Sequence, residues 1–211
     1  PFVETWERSG TNWTIARPTS SPAARSGYAL AYDPLRQRVV LHGGSVGSGV
    51  SFTTLGAPWE WHGTNWAQVS GAATGSTGHA MTWDPGRQRV LRFGGRVDRF
   101  QLSAETALWD GASWTVLLPS TTPTPAGVGL GACTDTVRQR VLLATPGSPF
   151  IGVAAATWEW DGTDWTRVEM ITTTPYLTGM TFDAARQRIV AIGTDEWTYL
   201  YGVMAPAYAQ V

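Results

Sequence analysis

The chain has 211 residues, 43% of them hydrophobic, enough to bury a core as one domain. Its net charge is −1, and all 15 basic residues are Arg, so it carries no electrostatic footprint for nucleic acid or an anionic membrane; no apolar run reaches the ~18 residues of a transmembrane helix. Cys133 is the single cysteine, which excludes an intrachain disulfide and a thiolate metal cluster, and in its apolar run it reads as a small core residue.

Pro1-Phe2-Val3-Glu4 has neither the basic region nor the apolar run of a signal peptide. Residues 4–16 then carry Trp6-Glu7 and Gly10-Thr11-Asn12-Trp13, which predicts two strands joined by a tight turn at Gly10. After the linker Pro18-Thr19-Ser20-Ser21-Pro22, a small-and-apolar strand runs from Gly27 to Tyr32 and ends on Asp33. The turn Asp33-Pro34-Leu35-Arg36-Gln37-Arg38 leads into an aliphatic strand, Val39-Val40-Leu41, and then Gly43-Gly44. A variable loop, 45–57, holds Phe52, and Trp59-Glu60-Trp61-His62-Gly63-Thr64-Asn65-Trp66 predicts the next strand pair.

This order recurs at a spacing of about 50 residues, the range of propeller blades and solenoid units. The second copy has Asp84, Arg87-Gln88-Arg89-Val90, Gly94-Gly95, a loop (96–106) with Arg96, Asp98, Arg99 and Phe100, and the degenerate Leu108-Trp109-Asp110-Gly111-Ala112-Ser113-Trp114. The third has Asp135, Arg138-Gln139-Arg140-Val141, a loop (144–156) with Phe150, and Trp158-Glu159-Trp160-Asp161-Gly162-Thr163-Asp164-Trp165. The fourth has Asp183, Arg186-Gln187-Arg188-Ile189 and no complete Trp pair after it.

The expected fold is therefore all-β: a β-propeller of four-stranded antiparallel blades, with repeats at about 22–70, 71–119, 120–170 and 171–203, in a single domain spanning 1–211. Strands 4–16 are expected to complete the last blade and close a four-bladed ring. Asp195-Glu196-Trp197 to Gly202 reads as a third strand competing for that slot. A closed ring, a longer array and strand donation between subunits all remain open.

The small strand (Gly78-His79-Ala80-Met81), the Asp-x-x-Arg-Gln-Arg-Val turn, Gly-Gly and Trp-Glu-Trp-Asp-Gly-Thr-x-Trp together resemble the bacterial Kelch-like repeat. The resemblance covers essentially the whole chain and implies a Kelch-type β-propeller. The third copy lacks Gly-Gly (Ala144-Thr145) and the fourth keeps one glycine, Gly193.

No chemistry-bearing constellation stands out. His42, His62 and His79 fall at different points of the repeat and lack zinc-ligand spacing. They and a single Cys also make a poor match to the copper site of Kelch-containing oxidases. No nucleophile elbow or phosphate loop occurs. Glu7, Glu60 and Glu159 recur with the blades, as do Arg36, Arg87, Arg138 and Arg186 beside the turn aspartates, which predicts ion pairs within or between blades. Trp13, Trp66, Trp114 and Trp165 are expected to fill the gaps between blades, although repeated aromatic faces also suit sugar rings. Phe52, Arg96, Asp98, Arg99, Phe100 and Phe150 mark a candidate binding face on the variable loops. Asn12-Trp13-Thr14 is a formal glycosylation sequon, and the Thr/Pro linkers suit O-glycans. The functional expectation is a non-catalytic secreted or cell-surface module without metal or cofactor. It binds a protein partner or itself; the alternative is a carbohydrate-binding propeller.

Overall fold

The computed structural model describes residues 3–47, 49–71, 73–125, 130–146, 155–168 and 176–194. Phe150 and the strand candidate at 195–202 lie outside them.

The described chain is all-β. β1 (Thr5–Ser9) and β2 (Asn12–Ala16) form a separate hairpin. The first blade orders β3 (Ser26–Asp33), β4 (Arg38–Val46), β6 (Trp59–Trp61) and β7 (Trp66–Gln68), with the two-residue β5 (Thr53–Thr54) beside the end of β4. The second runs β8 (Ala80–Asp84), β9 (Arg89–Phe93), β10 (Thr106–Trp109), β11 (Trp114–Leu117). The third runs β12 (Gly131–Asp135), β13 (Arg140–Thr145), β14 (Ala156–Trp160), β15 (Trp165–Val168). Last comes the hairpin β16 (Tyr176–Asp183) and β17 (Arg188–Thr194). All pairings are antiparallel and, with the two-residue β5 set aside, join consecutive strands, so each four-stranded sheet is a meander. Among the described residues three sheets are whole meanders, β1–β2 and β16–β17 each form a separate two-stranded sheet, and no sheet joins β1 to β17.

The turn between the first two strands of each unit is built the same way four times. The aspartate accepts the backbone N–H of the Arg three residues on, at 3.0 Å in Asp33–Arg36 and 2.9 Å in Asp135–Arg138. The following Gln takes a left-handed backbone, with φ of 54°, 54°, 56° and 52° at Gln37, Gln88, Gln139 and Gln187. That conformation closes the loop in the hand of the twisted strands. The sequence motif thus encodes a turn in which a non-glycine residue carries the positive φ.

Blades stack through side chains, and backbone bonds also tie the first to the segment entering the second, with the Gly78 N–H donating to the Gly27 carbonyl and the Gly44 N–H to the Ser76 carbonyl, both at 2.8 Å. The inner strands β3, β8, β12 and β16 lie beside one another in that order. Between the first and second blades Ala31, Val40, Met81, Val90 and Trp109 form one core; Leu91, Phe93, Val141, Trp160 and Trp165 belong to the next. A large ring placed there removes much apolar area from water, worth about 3 kcal/mol for a fully buried aromatic. A sheet of this kind cannot bury two apolar faces alone, so stability comes from neighbours. Gly43 (φ +71°) shows how close they come: a Cβ there would lie 2.2 Å from the Ser76 carbonyl oxygen.

Candidate functional site

Along the turn edge of the blades, two of the Asp–Arg pairs extend into relays. Arg36 donates to Asp33 at 2.8 Å and to Glu60 at 2.5 Å, and Glu60 also accepts the indole N–H of Trp109 from the second blade at 2.9 Å. Arg138 repeats the pattern with Asp135 and Glu159, both at 2.7 Å. In the second blade Leu108 stands where Glu60 and Glu159 stand, and Asp84 accepts Trp160 directly at 2.8 Å. Arg87 keeps the turn through its backbone N–H to Asp84 at 3.1 Å. In the last unit Arg186 bonds its own Asp183 at 2.7 Å, which holds that carboxyl below its ordinary range. Glu60 and Asp84 thus link neighbouring blades, and Arg36 and Arg138 brace the turn to the third strand of their own blade.

Trp66 and Trp165 are buried between sheets, each donating to a threonine hydroxyl of the preceding sheet: Trp66 to Thr5 at 2.8 Å, Trp165 to Thr106 at 2.9 Å. Trp114 lies half-buried beside His42 and Arg92. Trp13 does not fill a gap: it is 63% exposed, on a hairpin that among the described residues pairs with no further strand.

The loop face brings part of the predicted patch together. Thr54 donates its hydroxyl to the Val97 carbonyl at 2.8 Å, tying the loop that carries Phe52 to the one that carries Arg96, Asp98, Arg99 and Phe100. The Asp98 carboxylate accepts the N–H groups of Phe100 and Gln101, both at 2.7 Å, and these bonds lower its pKa. Phe100 projects at 88% exposure with the Arg99 guanidinium 5.5 Å from its ring centre, while Phe52 is half-buried.

Beneath that face lies a buried polar cluster that sequence spacing did not reveal. His42 and His79 face each other across the first two blades, Nδ1 to Nε2 at 3.3 Å. Arg92 pairs with Glu105, donates to the Thr74 carbonyl at 3.2 Å and lies 5.1 Å from the Trp114 ring centre. Burial, with the nearby Arg92 charge, pushes His42 down to about 2 and His79 down to about 3. Cys133 is buried, and burial beside Asp135 pushes its thiol up to about 11, which makes it inert as a nucleophile.

A surface cleft lies at the first blade. A cleft of about 1030 Å³ opens between β1 and the outer flank of β3 and β4, lined among others by Trp6, Glu7, Tyr28, Leu30, Leu41 and Trp66. Thr5 to Arg8 of β1 line this cleft, and among the described residues β1 pairs with β2 alone, which leaves its other edge without a strand partner. The sequence signal for it was the surplus Trp pair ahead of the first Asp motif.

No protein-family model matches the sequence, and no curated protein matches it. Among solved structures the chain is similar to YjhT, a β-propeller-like fold, with a TM-score of 0.60 and 12% identity over 82% of this chain. The match spans 60% of that longer chain, and at this identity it carries the fold alone. The architecture of this chain is that of a β-propeller-like fold built from four-stranded antiparallel sheets.

Proposed function

We propose that this chain is a non-catalytic Kelch-type propeller module, secreted or displayed at a cell surface, that binds polypeptide, further copies of itself included. The observation that carries this reading is the unpaired edge of β1 beside an apolar cleft. A strand edge offers a row of backbone donors and acceptors, and Tyr28 and Leu30 offer side-chain contacts next to it; together these are the elements of recognition by strand addition. The repeated Glu, Asp and Arg residues support a non-catalytic role, since Glu60 and Glu159 are already engaged by Arg36 and Arg138. The loop patch at Phe100 gives a second contact surface on the same scaffold.

A selection of displayed random peptides against the purified chain tests the proposal. Extended apolar peptides whose binding is abolished by Trp6→Asp are the expected outcome. A library that yields no binder, or binding indifferent to the cleft, overturns it. The exposed rings of Trp6 and Trp13 favour a second reading, a sugar-binding surface; a glycan array with Trp13→Ala as control decides that reading separately.

A further inference from the structure

Two seams between blades are built from opposite materials at the same five places. Between the second and third blades, Phe93, Leu130, Leu143, Ala156 and Trp165 pack in one apolar cluster. Counted from the shared strand register, the matching residues between the first and second are His42, His79, Arg92, Glu105 and Trp114. Four apolar positions have thus become polar at a single seam, and His42, His79 and Arg92 are buried there. Burying such groups costs free energy that an apolar core does not, so stability alone does not account for them.

We propose that this seam is a binding site for one small monovalent anion of halide size, held between the first and second blades.

The donor inventory identifies the guest. Among the described residues, five buried side-chain polar atoms lack a hydrogen-bond partner, and four belong to this cluster: His42 Nε2, His79 Nδ1, Arg92 Nε and Trp114 Nε1. The Gly56 backbone lies near the His42 ring, outside hydrogen-bond geometry at Nε2. Trp114 is left over for a visible reason. Trp66 and Trp165 donate to Thr5 and Thr106, whereas the matching residue for Trp114 is Pro58, which has no hydroxyl. Arg92 Nε and Trp114 Nε1 can only donate. The histidines meet Nδ1 to Nε2 at 3.3 Å, so a neutral pair leaves one outer nitrogen a donor and the other an acceptor. Three donors stand against one acceptor, which suits a guest that only accepts.

Charge points the same way. Glu105 neutralises Arg92. Arg25 bonds the carbonyls of Ala23 and Gly43, the latter next to His42, and among the described residues it meets no carboxylate. One positive charge therefore stays uncompensated, and a monovalent anion balances it. A metal cation would meet two guanidiniums and no free carboxylate. Because all four unpartnered atoms are buried, the guest is a single-atom ion rather than a peptide carboxylate. Burial, and after it the neighbouring positive charge, holds both histidines well below their ordinary range. An anion beside them favours their protonation, so by reciprocity the anion binds more tightly as pH falls.

Halide titration of the full chain tests the site. Bromide replaces gluconate at constant ionic strength while the melting temperature is followed at pH 7.5 and 5.5. A saturable rise is expected, with a lower half-saturating concentration at the lower pH. Arg25→Gln, at a half-buried position, is expected to raise the half-saturating bromide concentration about tenfold. The combined variant His42→Phe, His79→Leu, Arg92→Leu and Glu105→Ala gives this seam the residues of the next one, and is expected to fold and to lose the response. Should it fold poorly, anomalous scattering from bromide in crystals of the unmodified chain keeps the test decisive: a peak within hydrogen-bond distance of Arg92 Nε or Trp114 Nε1 is expected. A melting temperature indifferent to bromide overturns the site. So does an undiminished response in the combined variant, and so do bromide peaks found only elsewhere on the chain.

Discussion

At the scale of single residues, the fold is held by polar groups buried in pairs. Glu60 is the clearest case, since it accepts from Arg36 of its own blade and Trp109 of the next. Glu60→Ala leaves a mostly buried guanidinium and an indole N–H short of a partner, and is expected to cost about 3 kcal/mol in urea unfolding. Arg186→Ala, at a side chain 76% exposed, is expected to change the stability of the isolated chain by no more than about 0.5 kcal/mol. The histidine pair predicts a pH dependence of definite sign. Both folded-state pKa values are depressed from 6.5, to about 2 and about 3, so the unfolded chain binds protons that the folded chain refuses. Stability is therefore full above pH ~6.5 and falls as pH drops below it, with a limiting slope of about 1.4 kcal/mol per pH unit for each histidine. Thermal melts between pH 7.5 and 4.5 check this, and His42→Phe, which places the residue found at the matching Phe93 position, is expected to reduce the slope by about half.

At the scale of elements, the repeat made the meander readable before any coordinates. Alternation, the Asp-x-x-Arg-Gln-Arg turn and the Trp pairs each name one strand or connection, and the observed order follows them. What stayed hidden depends on contacts that a repeat does not spell out. Trp13 has the same motif as Trp66 and Trp165 but is exposed, because burial depends on which sheet packs beside it and no local pattern spells that out. His42 and His79 fall at unrelated repeat positions and meet because two blades stack. The left-handed Gln of each hairpin was equally invisible, since glutamine is not a usual residue for that conformation. Gln88→Gly relieves it and is expected to raise stability by up to about 1 kcal/mol, whereas Gln88→Val is expected to lower it by at least as much, both read from denaturant midpoints.

At the scale of the molecule, each blade contacts only its neighbours, so stability is a sum of adjacent terms. The second blade is flanked by complete sheets on both sides, whereas β16–β17 is covered on one side by the third blade. Amide hydrogen exchange of the dilute chain is expected to show slowest opening in β8–β10 and β13 and fastest in β1–β2 and β16–β17. Uniform protection across all strands would contradict this ordering.

Cys133 carries a practical consequence. Its sulfur is enclosed in the third blade and stays protonated at neutral pH, so thiol reagents at that pH should pass it by. A cysteine installed on the surface would then be the sole site of modification by a maleimide dye or spin label. Distances across the blades could be measured on the chain without first removing its native thiol.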